Sequence, residues 1–181
     1  DPEKVRTKLE EKDYKAITVE HVDTSTGIAN PIDAIGKVTS KHSSLYIVDS
    51  VCGAGGMPLK IDEWNIDICL TGSQKALEAP PGLTILSYSD KAWRAVEQRK
   101  TPARSYYMDL KRWLPVMEDP SKYFATPSVP LILGLREALK IVIEEGHEKR
   151  WRRHRIIADA VRNGVQSVGL GLFPAEGHRS N

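Results

Sequence analysis

Four short apolar runs, AITVEHV, LYIV, NIDICL and LTILSYS, set the tightest constraint on what this chain folds into. Each has strand length and strand composition, and each ends on polar or turn-forming residues. Helical spacing occurs between and around them. Val5 and Leu9 share one face of a helix expected from Pro2 to about Lys12, with Asp1 as its cap. Ile32, Ile35 and Val38 recur at helical spacing after Asn30-Pro31. Mostly apolar strands alternating with helices imply an α/β layer architecture, with a largely parallel sheet buried on both faces. Ligands of such sheets bind beyond the carboxyl ends of the strands. Asp23, Thr24, Asp49 and Lys75 all fall at or just after such ends.

Beyond Asp90 the pattern turns helical. Trp93 and Val96 begin one helix, and Thr126-Pro127-Ser128 opens a longer one running to Gly146. A third carries Trp151, His154, Ile157, Ala158, Val161, Val165 and Val168 as its apolar stripe. Gly146 is the expected hinge between a large domain, residues 1–146, and the beginning of a second, residues 147–181. The chain opens directly on a helix start, without an initiator methionine. It stops at Asn181 soon after GLGLFP, read as a new strand, so an excerpt of a longer protein is expected.

Bulk properties exclude several classes. A net charge of +2 over 181 residues is too small to imply a nucleic-acid or membrane partner. No apolar stretch approaches the roughly 18 residues that span a bilayer. The basic run HEKRWRRHR is diluted by Glu144, Glu145 and Glu148 and reads as a solvated helix face. Cys52 and Cys69 make no disulfide framework and have no histidine at metal-ligand spacing, so a reduced, cytoplasmic setting is expected.

The chemistry centres on Asp49 in LYIVDSV and Lys75 in TGSQKALEAPPG. A carboxylate at one strand end and a lysine in the loop after the next suit a pyridoxal 5'-phosphate site. The amine can hold the coenzyme aldehyde as a Schiff base, and the carboxylate can keep the pyridine nitrogen protonated. A unit-charge pair about 4 Å apart is worth roughly 4 kcal/mol at an effective dielectric near 20. Taken singly, Lys75 reads equally as a solvated loop lysine, and Asp49 and Thr24 as turn caps. His21 reads as a satisfied interior histidine, Cys52 as small packing, and GAGG as a tight loop near the site.

The words EHVDTSTGIANPID, LYIVDSVCGAGGMPL and IDICLTGSQKALEAPPGLTILSYSDKA, in this order, resemble the class V aminotransferases. Within that class they are most similar to the alanine–glyoxylate and serine–pyruvate or serine–glyoxylate branch. The resemblance runs from about residue 16 to the helices near 170. It implies the fold-type-I architecture, a homodimer, and transamination between alanine or serine and glyoxylate or pyruvate. Position by position, Lys75 matches the Schiff-base lysine and Asp49 the partner of the pyridine nitrogen. Val51 matches the residue packed on one ring face, Thr24 the hydroxyl beside the ring, and Gln74 a phosphate-side contact. In YFATP, Tyr123 and Thr126 match a segment reaching the neighbouring subunit's phosphate site; Thr126 before Pro127 also reads as a helix cap. The family's phosphate loop, ring-stacking aromatic and substrate-carboxylate arginine have no counterpart in these residues, so these residues alone are not expected to be a competent transaminase. Two rival functions remain: a cysteine desulfurase-like lyase, which needs a reactive cysteine, and a non-catalytic coenzyme- or nucleic-acid-binding module.

Overall fold

The computed structural model describes all 181 residues. Helix α1, Pro2–Glu11, starts where the sequence pattern puts it, with the Asp1 carboxylate accepting from the Glu3 amide. Strand β1, Ala16–Glu20, is followed by helix α2, Ile32–Thr39, and strand β2, Leu45–Asp49. Strands β3, Ile68–Gly72, and β4, Thr84–Tyr88, complete a four-stranded sheet in the order β1-β2-β3-β4. The first three are parallel and β4 is antiparallel to β3. Glu20, Asp49 and Leu70 lie in register, so β1, β2 and β3 end side by side.

One face of the sheet is packed. Ile32 and Ile35 of α2 cover Tyr46, Val48 and Cys69 together with Ile66, each almost solvent-free. Burying one such side chain is worth about 1.5–3 kcal/mol, so this layer is the core. The Tyr46 hydroxyl donates to the Ile32 carbonyl at 2.9 Å, which satisfies the one polar atom carried into it. Gly36 lets α2 approach closely: an added Cβ would lie 1.9 Å from the Trp64 carbonyl oxygen.

The other face is only partly covered by these 181 residues. Ile47 and Leu70 line an open cavity of about 640 Å³ with Thr18, Glu20, Asn30 and Asp49. Alternation alone carries no information on which neighbour covers which face.

After β4 come helices α3, Asp90–Glu97, and α4, Leu110–Glu118, then a short 3-10 turn at Pro120–Lys122. Helix α5, Val129–Glu145, takes Ser128 as its cap, so Thr126 is not the cap residue. Helix α6, His147–Ser167, follows directly across Gly146, whose φ of +83° suits glycine. The stripe expected on α6 is only half realised. Trp151, His154, Ala158 and Val165 are partly covered, whereas Ile157, Val161 and Val168 are exposed. GLGLFP forms no strand; after it, Arg179 makes a β-bridge to Ile28. No helix is long and apolar enough to cross a membrane.

Candidate active site

Three loops leave the carboxyl ends of β1, β2 and β3 and meet. The first, Asp23–Gly27, is a turn closed by Asp23. Its carboxylate accepts from the Ser25 amide at 2.9 Å and the Thr26 hydroxyl at 2.6 Å. Those bonds hold the Asp23 carboxyl below its usual range, the Thr26 contact first. Asp23, not Thr24, is therefore the turn cap. Thr24 keeps its hydroxyl for the second loop, 2.7 Å from the Cys52 sulfur.

The second loop begins at Asp49. Its Oδ1 accepts from the Val51 amide at 2.9 Å, and Oδ2 has no hydrogen-bond partner within the chain. The carboxylate is thus aimed by its own loop with one oxygen free. Behind it, His21 is buried, and its Nδ1 lies 2.9 Å from Ser50 Oγ. An added Cβ on Gly53 would sit 2.2 Å from that ring nitrogen, so the loop closes on the histidine because residue 53 has no side chain. The satisfied interior reading of His21 holds.

Burial pushes the His21 imidazole from 6.5 down to about 4. The folded chain therefore refuses a proton that the unfolded chain accepts. Stability is full above about pH 6.5 and declines as the pH falls towards about 4. The loss is at most about 3 kcal/mol. Denaturation midpoints across this window should flatten in His21→Gln; an unchanged slope would assign the acid sensitivity to other groups.

The third loop carries Lys75 and is closed at its neck by Ser73. The Ser73 carbonyl accepts from the Ala79 amide at 3.0 Å, its amide donates to the Leu83 carbonyl at 3.1 Å, and its hydroxyl donates to the Pro80 carbonyl at 2.6 Å. Above the neck, the Glu78 amide donates to the Lys75 carbonyl at 2.9 Å. Lys75 is exposed, and its amine makes no hydrogen bond or ion pair within the chain. Gln74 is also exposed and folds back over Gly72. The second and third loops touch through GAGG. Added Cβ atoms on Gly55 and Gly56 would meet the Ala76 carbonyl oxygen at 3.1 Å and the Ala76 Cβ at 3.3 Å.

Thr24, Asp49, Val51 and Lys75 are thus carried by loops in mutual contact. Tyr123 and Thr126 are not joined to them: Tyr123 is 57% exposed, and neither side chain hydrogen-bonds to those loops. Their segment is held instead by the Phe124 ring, packed edge-on against Tyr106 and Trp113.

Sequence reading missed what α6 does. Arg150, assigned to a solvated basic face, is 1% exposed. Its Nη2 donates to the Ala76 carbonyl at 2.5 Å and to Glu78 at 2.8 Å, and its Nη1 to Glu145 at 2.8 Å. Asn181 donates to the Gly56 carbonyl at 2.8 Å. A signal was available, since Arg150 lies four and eight residues before His154 and Ala158, on the covered stripe.

A free carboxylate oxygen at one parallel strand end and an uncommitted amine on the touching loop fit a coenzyme with a basic ring nitrogen and an aldehyde. Comparison with known proteins identifies the family. A family model described as Aminotransferase class-V matches residues 1–179. An uncharacterised aminotransferase of Methanocaldococcus jannaschii is 43% identical over 181 residues, covering 99% of this chain and 47% of that protein. The alanine–glyoxylate aminotransferase of Oryctolagus cuniculus is 40% identical over 156 residues, covering 84% of this chain and 40% of that protein. The crystal structure of a ureidoglycine–glyoxylate aminotransferase from Bacillus subtilis superposes with a TM-score of 0.94 at 32% identity, covering 99% of this chain and 46% of that one. The chain spans about half the length of the relatives it matches.

Proposed function

Because this chain belongs to the class V aminotransferase family, we propose that it carries the proton-transfer centre of a pyridoxal 5'-phosphate-dependent transaminase. Its substrates would be a small amino acid, alanine or serine, and a 2-oxo acid, glyoxylate or pyruvate. The observation that carries this reading is the contact between the Asp49 and Lys75 loops, with Asp49 Oδ2 and the Lys75 amine both free. When bound, the coenzyme supplies a ring that accepts electron density from the substrate Cα. Lys75 is the residue to hold it covalently, and Asp49 Oδ2 the group to keep its ring nitrogen protonated. Val51 would pack on the ring, Thr24 would flank it, and Gln74 would contact the phosphate side.

With the coenzyme bound, the Lys75 Nζ would serve as the base that takes the proton from the substrate Cα and as the acid that gives it back. General acid–base assistance of this kind typically contributes about 10²–10⁴-fold. Asp49 acts throughout as a fixed negative charge, oriented by the Val51 amide so that no reorientation accompanies the reaction.

A homodimer completes the site in this reading, with Tyr123 and Thr126 of one subunit serving the phosphate of the other. Residues 1–146 belong to the coenzyme-binding domain and 147–181 begin a smaller one, the glycine joint at Gly146 supporting that division. Two free thiols suit a reducing, cytoplasmic compartment.

The desulfurase reading gains no support from Cys69. Cys69 is buried, and burial, aided by the Asp49 charge, pushes its thiol up to about 11. Cys52 is engaged with Thr24. Nucleic-acid binding loses its main support, because Arg150 and Arg153 are committed to Glu145 and Arg155 to Asn181.

Borohydride reduction of the coenzyme-loaded complete protein, followed by peptide mass mapping, tests the proposal. A phosphopyridoxyl adduct on Lys75 is expected. Bound coenzyme with an unmodified Lys75 would remove the mechanism.

A further inference from the structure

Arg150 is the least exposed charged side chain in the molecule, and it lies beneath the lysine loop rather than in the core. Stability alone does not account for it. Buried ion pairs tend only to break even with apolar side chains of similar volume, and here Nε is left without a partner. What the guanidinium does is geometric. On one side it grips Glu145, which Arg153 already fixes through contacts of 2.5 and 2.9 Å. On the other it takes the carbonyl of Ala76, the residue after Lys75, and the carboxylate of Glu78.

Glu78 strengthens the case. Its φ is +61°, a left-handed conformation that costs a non-glycine residue of order 1 kcal/mol or more. Glycine would relieve that strain but would remove the carboxylate that meets Arg150. The same Ala76 carbonyl, with the Ala76 Cβ, also abuts Gly55 and Gly56 of the Asp49 loop. The lysine segment therefore contacts both the loop that carries the carboxylate and a cation fixed on α6. His154, one turn further along α6, faces Gly56, and an added Cβ there would lie 3.6 Å from its Nδ1.

We infer that Arg150 is a positioning residue for Lys75: anchored on Glu145, its guanidinium clamps the Ala76 carbonyl and the Glu78 carboxylate and so sets the lysine against Asp49. This rests on the reading of Lys75 as the coenzyme-bearing lysine. Arginine is suited to the task because its planar fork reaches several acceptors at fixed angles, which an ammonium cannot do.

The test compares Arg150→Met and Glu78→Gln with the wild type in the complete protein. Glu78→Gln alters only a largely exposed side chain, so it remains informative if Arg150→Met fails to fold. The first readout is amide hydrogen exchange in coenzyme-free protein. The amides of Glu78 and Ala79, which donate to Lys75 and Ser73, should exchange about tenfold faster or more in both variants, with those of β2 unchanged. The second is steady-state kinetics: kcat is expected to fall about 10–100-fold with KM for the amino donor within about twofold, as for a misplaced catalytic group. Unaltered exchange at 78 and 79 would overturn the clamp, and faster exchange with unaltered kcat would overturn its role in positioning. Because the exchange experiment is run without coenzyme, it decides the clamp even if borohydride leaves Lys75 unmodified and the transaminase reading falls.

Discussion

Replacing Lys75 with arginine is expected to lower amino-group transfer by at least about 10³-fold while leaving the fold intact. Arginine keeps the positive charge and a similar reach, but its guanidinium is effectively never deprotonated in a protein. It offers neither a nucleophilic amine to hold the coenzyme nor a base to take the Cα proton. Loss of the acid–base role alone accounts for about 10²–10⁴-fold, and loss of the covalent link adds to it. The fold should not notice, since Lys75 is exposed and its amine bonds to nothing in the chain. Turnover and thermal midpoint, measured on the complete protein, separate the two effects. A variant retaining a tenth of wild-type turnover would show that Lys75 is not the reacting lysine.

The second large effect lies at the other end of the sheet. Asp67→Ala should destabilise the protein by about 3–4 kcal/mol. Asp67, just before β3, is nearly buried and ties three elements together. Its Oδ2 accepts from the Tyr46 amide of β2 at 2.9 Å and from Lys91 of α3 at 3.0 Å, while Oδ1 accepts from the Ser89 hydroxyl at 2.8 Å. Tyr46 has no exposed surface, and its amide would lose the acceptor that satisfies it. Lys91 is about a third exposed and also donates to the Ser44 carbonyl, so the ion pair itself is the smaller share. Asp67→Asn keeps an acceptor and should cost about half as much. The Lys75 loop leaves the opposite end of β3, so activity at low temperature should survive in both. A stability change below about 1 kcal/mol for Asp67→Ala would mean that the network is dispensable.

Pattern carried the local half of this protein. The ends of α1 and β2 follow from caps and periodicity, whereas β3 begins at Ile68 rather than Asn65 and reaches Gly72, where its partner β4 extends the ladder. Asp49 and Lys75 were legible because each follows a strand, and parallel strands deliver their ends to one edge. Thr24 and Asp23 looked alike in DTSTG; only the structure assigns the turn to Asp23 and leaves Thr24 to reach Cys52.

Arg150 shows where such reading stops. In HEKRWRRHR five basic residues are chemically near-equivalent, and composition makes them all solvent-facing. One of them is buried because α6 turns back at Gly146 and meets a loop more than seventy residues away. Spacing along a chain reports which residues share a strand end or a helix face, because those relations repeat every two residues or every turn. It does not report which distant backbone carbonyl will face that helix. By itself, then, the sequence determined the α/β layering and the placement of Asp49 and Lys75 at neighbouring strand ends, which local periodicity sets. Their expected coenzyme roles came from the resemblance of VDSV and GSQKALEAPPG. The contacts of Arg150 with Ala76 and Glu78 were decided only in three dimensions, where long-range packing selects each group's neighbours.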